Sequence, residues 1–182
     1  RLERGYFGGV RTVTDKALDE AIRQSLLDVL PSWWDLPIIT GNQPTPQGRT
    51  DGVYFWRIGQ VMHGWGMRSF RTQGSRETIK QLVQSQYQFS VMVTPNYHMA
   101  QQTAADRLGQ LHMVLSSQKF LESMRKKQVG VQRPGAMVMP TIENERGQYE
   151  VIPNFTCIFV HELILGLETG NIESATADIK RI

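Results

Sequence analysis

The sequence predicts an α+β domain: an antiparallel or mixed β-sheet of about four to five strands with two or three helices packed on one face. Three observations carry this. Apolar residues recur at helical spacing in two separate stretches, Leu18 to Leu30 and Ala104 to Leu115. Between them, Tyr87, Phe89, Val91 and Val93 alternate with polar neighbours, the period-two signature of a half-buried strand. Helical and strand-like segments do not take turns along the chain, and nothing repeats, which argues against a parallel βαβ sheet.

Taken in order, Thr14 followed by Asp15 reads as an N-cap with an acid in the first turn, and Leu18, Ile22, Leu26, Val29 and Leu30 form the apolar face of a first helix. Pro31 cannot extend it. Ile38-Ile39 suits a short edge strand, and the proline- and glycine-rich segment Asn42 to Gly52 suits a loop. Val53 to Met62 is rich in β-formers, with Gly59 marking a bulge. His63 to Gly74 mixes three glycines with Trp65, Met67 and Phe70, more than a simple turn requires, and is expected to be a projecting arm. A strand is expected from Lys80 to Val93, and a central helix opening at Pro95-Asn96. Ser116-Ser117 can cap a shorter helix carrying Phe120, Leu121 and Met124. Two strand-like runs follow, Ala136 to Ile142 and Tyr149 to Leu165, joined by the turn Asn144 to Gly147.

The expected organisation is an amino-terminal extension over 1–13, a single domain over 14–165 with a hairpin arm at 63–75, and a carboxy-terminal tail or short docking helix over 166–182. In that last segment Ile172, Ala175, Ile179 and Ile182 recur at spacings of three, four and three.

A length of 182 residues fits one domain, and 40% hydrophobic with 20% charged residues is a globular balance, neither disordered nor membrane-embedded. The amino end lacks an apolar signal region and no stretch approaches ~18 apolar residues, so neither a secretion signal nor a membrane anchor is expected. The single cysteine, Cys157, excludes an internal disulfide and a cysteine-based metal framework and suits a reducing cytoplasm. A net charge of +3 is too small for a charge-driven nucleic-acid binder, so such a role would have to rest on local clusters.

No catalytic, cofactor or metal residue is predicted. His161-Glu162 begins like a zinc-protease motif, but Leu165 stands where the second histidine belongs. His63, His98, His112 and His161 show no ligand spacing. Cys157 and His161 lie about 13 Å apart along a strand, too far for thiolate activation. The glycines lack the spacing and the following lysine of a phosphate loop. The acids Glu143, Glu145, Glu150 and Glu162 suit a solvated turn and strand face.

Two surface features remain. Trp65, Met67, Arg68, Phe70 and Arg71 have the composition of a protein interface, and Ile172, Ile179 and Ile182 offer a second candidate contact. Arg68, Arg71, Arg76 and Lys80, interleaved with aromatics, also fit an alternative, a nucleic-acid-binding module, to which Arg125, Lys126 and Lys127 could add charge. The triplet has a plainer reading as positive charge at a helix C-terminus. An enzyme whose site is assembled from residues distant in sequence is a third alternative.

The order of segments resembles the tail-terminator and neck-terminator (tail completion) proteins of tailed bacteriophages. The residues that carry the resemblance are the helix ending at Leu30-Pro31, the Pro-rich loop before Gly52-Val53-Tyr54, the strand Tyr87 to Val93, the helix beginning near Ala100 and the final strand Asn154 to Val160. The resemblance implies a virion structural protein of the neck or tail, made in the host cytoplasm, with no cofactor, catalysis or membrane contact. It implies a homo-oligomeric ring, typically a hexamer, that touches the tail tube protein on one face and the head–tail connector on the other, with genomic DNA passing through. The long arm, the tail and the residues before the first helix depart from the pattern.

Overall fold

The structure, a computed structural model, describes residues 13–41, 51–71, 76–93, 102–143 and 149–168. Its elements are α1 (Asp15–Val29), β1 (Ile38–Thr40), β2 (Gly52–Arg71), β3 (Arg76–Met92), α2 (Ala104–Leu115), α3 (Gln118–Lys126), β4 (Gly130–Val131), β5 (Thr141–Glu143), β6 (Tyr149–Val151) and β7 (Asn154–Glu168). Five strands form one sheet in the order β1-β2-β3-β7-β4, and β5 pairs with β6 alone. β1 runs parallel to β2 and the other neighbours are antiparallel, so the expected mixed α+β sheet is what the chain forms.

Local chemistry starts each helix. The Ala17 and Phe120 amides donate to the hydroxyls of Thr14 and Ser117, and Thr103 and Asp106 make a reciprocal capping box. α3 stops in a Schellman turn: the Val129 amide donates to the Met124 carbonyl, the Gln128 amide to the Arg125 carbonyl, and Gln128 sits at φ +63°, where glycine is the usual residue.

The helices bury Leu18, Ile22, Leu26, Leu108, Leu111, Leu115, Phe120 and Met124 against one face of the sheet. On that face the register aligns Phe55, Phe89 and Phe155 across three strands, with ring centroids 5.6 and 5.4 Å apart and planes within 17°. One row below, Phe159 meets Tyr87 edge-on at 5.5 Å. Sheet and helices are also tied by polar contacts. The Tyr87 hydroxyl donates to Asp19 at 2.5 Å, and Arg57 pairs with Asp15 at the start of α1. Burial pushes the Tyr87 hydroxyl well above its ordinary range, aided by the Asp19 bond, so it remains a proton donor.

Several boundaries differ from the sequence expectation. β3 begins at Arg76 rather than Lys80, and β2 continues, through two bulges, as far as Arg71. The central helix starts at Ala104, capped by Thr103; Pro95-Asn96, where its opening was expected, lies outside the described residues. The run from Ala136 to Ile142 is not a strand: only Thr141–Glu143 is, and before it Gln132, Gly135 and Val138 follow the edge of β7 with widely spaced hydrogen bonds. Pro134 and Pro140, which have no amide hydrogen, stand at either end of that irregular stretch. The long run from Tyr149 is split at Ile152-Pro153, so β6 belongs to a small hairpin and β7 to the main sheet. β7 also runs past Gly166 to Glu168, where Leu163, Leu165 and Leu167 keep the alternation going.

Candidate functional site

β1 pairs only with residues 53–55 of β2, and β4 only with Val160 and Phe159 of β7. Beyond them β2, β3 and β7 continue together as a three-stranded arm. Residues 76–84 of β3 alone span about 30 Å at the usual strand rise.

Cross-strand partners share a face, so the register assigns the arm's side chains. One face carries the rows Met62/Val83/His161 and Arg68/Ile79/Leu165; the other carries Val61/Gln84/Val160, His63/Leu82/Glu162 and Met67/Lys80/Ile164. Met62, Leu165 and Leu167 are exposed on the first face, and Val61, Met67 and Leu82 on the second. The blade thus leaves apolar groups uncovered on both of its faces.

The β2 edge of the arm is deformed twice. The register slips between Arg57 and Gly59, at the bulge expected from Gly59, and again between His63 and Met67. At the second bulge Gly64, Trp65 and Gly66 stand opposite Gln81. Gly64 has φ +67°, and a Cβ on Gly66 would lie 2.6 Å from Ile79 Cγ2, so the loop needs both glycines. The Gln81 side-chain amide donates to the carbonyls of His63 at 2.5 Å and Gly64 at 2.9 Å, clamping the bulge from the neighbouring strand. The clamped loop presents Trp65 to solvent, 98% exposed.

The other predicted site residues are distributed as follows. Phe70, Arg71 and Arg76 occupy the last register positions of the arm, Phe70 opposite Glu77 and Arg71 opposite Arg76. Arg68 pairs with Glu77 at 3.6 Å. Because Lys80 belongs to the opposite face, Arg68 and Lys80 do not converge on one basic groove. Arg125 and Lys126 are exposed at the end of α3, but Lys127 turns inward, its ammonium 2.6 Å from the buried Ser25 hydroxyl and 3.4 Å from the Ala21 carbonyl, where desolvation lowers its pKa. Ile172, Ile179 and Ile182 lie outside the described residues, as do the extension over 1–12, the Pro-rich loop over 42–50 and the turn at 144–148.

The residues weighed for chemistry sit in structural roles. Cys157 is buried under the helices, which pushes its thiol up to about 12, far from a reactive thiolate. His161 is buried at the root of the arm with Nε2 3.1 Å from Ser85 Oγ, and desolvation lowers its pKa. His112 contacts the Gly135 carbonyl at 3.1 Å and the edge of Phe155. Among the described residues no three His, Cys, Asp or Glu side chains are grouped to hold a metal ion.

Sequence reading missed two surface features. Arg107 stacks over Trp33 and Trp34, centroid distances 5.6 and 5.4 Å, and pairs with Asp35 at 3.1 Å; the contact joins α2 to the segment after α1, and only the adjacent tryptophans hinted at it. Near the amino end of β7, Met137, Val138, Met139 and Val151 are all exposed. Their apolar composition had suggested a strand, and a paired strand would have covered some of them.

The profile of the family described as E217 gateway protein gp29 matches residues 12–171. No curated protein sequence matches the chain. Among solved structures, the PVC sheath/tube terminator of an extracellular contractile injection system, determined by cryo-EM in the extended state, aligns over 95% of this chain at 12% identity with a TM-score of 0.46. The chain spans 65% of the length of that terminator.

Proposed function

The chain belongs to the family of the E217 gateway protein gp29, a phage protein family, and we propose that it is a non-catalytic structural protein that terminates a phage tail at the head–tail junction. In this reading copies of the chain close into a ring, six in number as the terminator resemblance implies, with the tail tube on one face, the connector on the other and DNA passing through the opening. The single observation that carries it, beside the family, is the three-stranded arm with apolar side chains uncovered on both faces and Trp65 held out by a clamped bulge. A surface of that kind is kept where other chains cover it. Arg68 and Lys80 on opposite faces, the first already paired with Glu77, do not favour a nucleic-acid-binding groove.

The test is the particle. Mass spectrometry and antibody labelling of purified virions of the phage that encodes the chain should find it in a few copies per particle, at the neck. Particles assembled without it should separate into unjoined heads and tails. Its absence from purified particles would sink the reading.

A further inference from the structure

The arm meets the body of the domain at one buried imidazole. His161 is the first residue of β7 beyond Val160 and Phe159, the two that β4 pairs. In its row Val83 is fully buried while Met62, on β2, is 60% exposed, so this is the row at which the covered face of the sheet gives way to the arm. Hydrogen bonding serves only half of the ring. Nε2 lies 3.1 Å from Ser85 Oγ, itself buried, whereas Nδ1 is buried without a hydrogen-bond partner.

A neutral ring tolerates that site, because its one proton can sit on Nε2 toward Ser85 and leave Nδ1 a bare acceptor. A protonated ring carries a donor on both nitrogens, and a buried donor without an acceptor is costly, the more so when charged. Among the described residues the charged groups that act on the ring are Asp15, in the first turn of α1, and Arg57, on β2, and these two are already paired with each other. Asp19 and Tyr87, two rows further in, are likewise bonded together; Cys157 holds its proton, and β4 brings no titratable group. Glu162 belongs to a row of the other face, and only its backbone favours the proton. Desolvation outweighs these influences and lowers the His161 pKa. Proton uptake therefore requires the site to open. β3 is fixed by its ladder to β7 from Arg76 to Ser90, whereas residues 14–17 are exposed and held by the Thr14 cap and the Asp15–Arg57 pair. The helix end is the part that yields.

We propose that His161 is a proton-operated latch between α1 and the root of the arm: with the ring neutral the first turn of α1 rests on the sheet, and with the ring protonated that turn lifts away and the Asp15–Arg57 pair breaks. The open form takes the proton more readily than the closed one. The latch is therefore fully closed above the ordinary histidine value of 6.5 and yields as pH falls below it. It stands whether or not copies of the chain form a ring.

The experiment compares the full wild-type chain with His161→Gln, which keeps a polar group for Ser85 but cannot titrate. Hydrogen exchange is read by mass spectrometry, with rates corrected for the intrinsic effect of pH. In wild type, peptides covering 15–22 should lose about tenfold in protection between about pH 7 and pH 5, while those covering 104–115 keep theirs. In His161→Gln the fall at 15–22 should vanish. Asp19, whose raised pKa acts in the opposite sense, is common to both chains and drops out of the difference. An NMR titration of the wild-type His161 ring supplies a second measurement, which decides alone if the variant does not fold: the loss of protection at 15–22 should track proton uptake by this ring. Unchanged protection at 15–22 in wild type, a fall of equal size in the variant, an equal fall at 104–115, or a loss that does not follow the ring's titration overturns the latch.

Discussion

Replacing Gln81 with Leu should loosen the arm without unfolding the body. The perturbation keeps side-chain bulk but removes the amide that donates to the His63 and Gly64 carbonyls at 2.5 and 2.9 Å. A hydrogen bond is worth about 0.5–1.5 kcal/mol net, and because His63 and Gly64 are exposed, water can take over part of the loss. A total of about 1.4 kcal/mol for the pair is a reasonable centre, which is a factor of about 10 in a local opening equilibrium. The Phe55/Phe89/Phe155 row lies well down the sheet and makes no contact with this clamp, so the cost should stay local. Hydrogen–deuterium exchange read by mass spectrometry should therefore show peptides covering 60–71 exchanging about tenfold faster, while peptides covering 87–92 keep their rate. Gln81→Glu, which sets an acceptor-only carboxylate against the two carbonyl oxygens, should accelerate exchange at 60–71 at least as much. Unchanged exchange at 60–71 would mean that the bulge is held by its own backbone. Equal acceleration at 87–92 would mean that the arm and the body open as one unit, and either result refutes the argument.

Phe89→Ala removes the middle ring of the aromatic row and should lower unfolding stability by about 3–5 kcal/mol, measured by urea titration. Asp19 has its pKa raised from 3.8 chiefly by desolvation, so its stabilising contribution is full below that value and declines as pH rises through the folded pKa. The stability of Asp19→Asn relative to wild type should accordingly grow as pH is raised from about 4 and then level off, as denaturation curves across that range would show.

The helices were legible because their signals are local. Thr14, Thr103 and Ser117 cap within one turn, and the apolar spacings that follow need no distant partner. Tyr87 to Val93 was legible for the same reason, since a strand with one buried face writes its alternation into the chain. What escaped was set by partners far away. Nothing around Asn154 says that β7 will lie between β3 and β4, and Pro153 alone hints that the run from Tyr149 must break. Met137 to Met139 has strand composition, but with prolines on both sides it can only trail along the edge of β7. The aromatics and glycines of 63–74 marked the segment as more than a turn. Its continuity with β2 was not legible, because Gly64 and Gly66 read as a turn until Gln81 on the facing strand is seen to hold them. Lys127 looks like its two basic neighbours in sequence, and only the placement of Ser25 on α1 turns it inward.

The position of β7 has a bearing on how the chain is born. β2 and β3 are neighbours in sequence and can zip within microseconds of leaving the ribosome, as hairpins do. β3 must then wait for its second partner, since 64 residues separate Ser90 from Asn154 and 92 separate Arg76 from Glu168. At ordinary translation speeds that is a pause on the order of 5–15 s. Throughout it, one whole flank of β3 offers unpaired amides and carbonyls, with Tyr87 and Phe89 beside them, to any nascent copy on the same messenger. Crowded synthesis would make that interval a hazard, and conditions that slow translation would lengthen it. The yield of soluble chain should thus depend on how fast residues 93 to 168 are delivered.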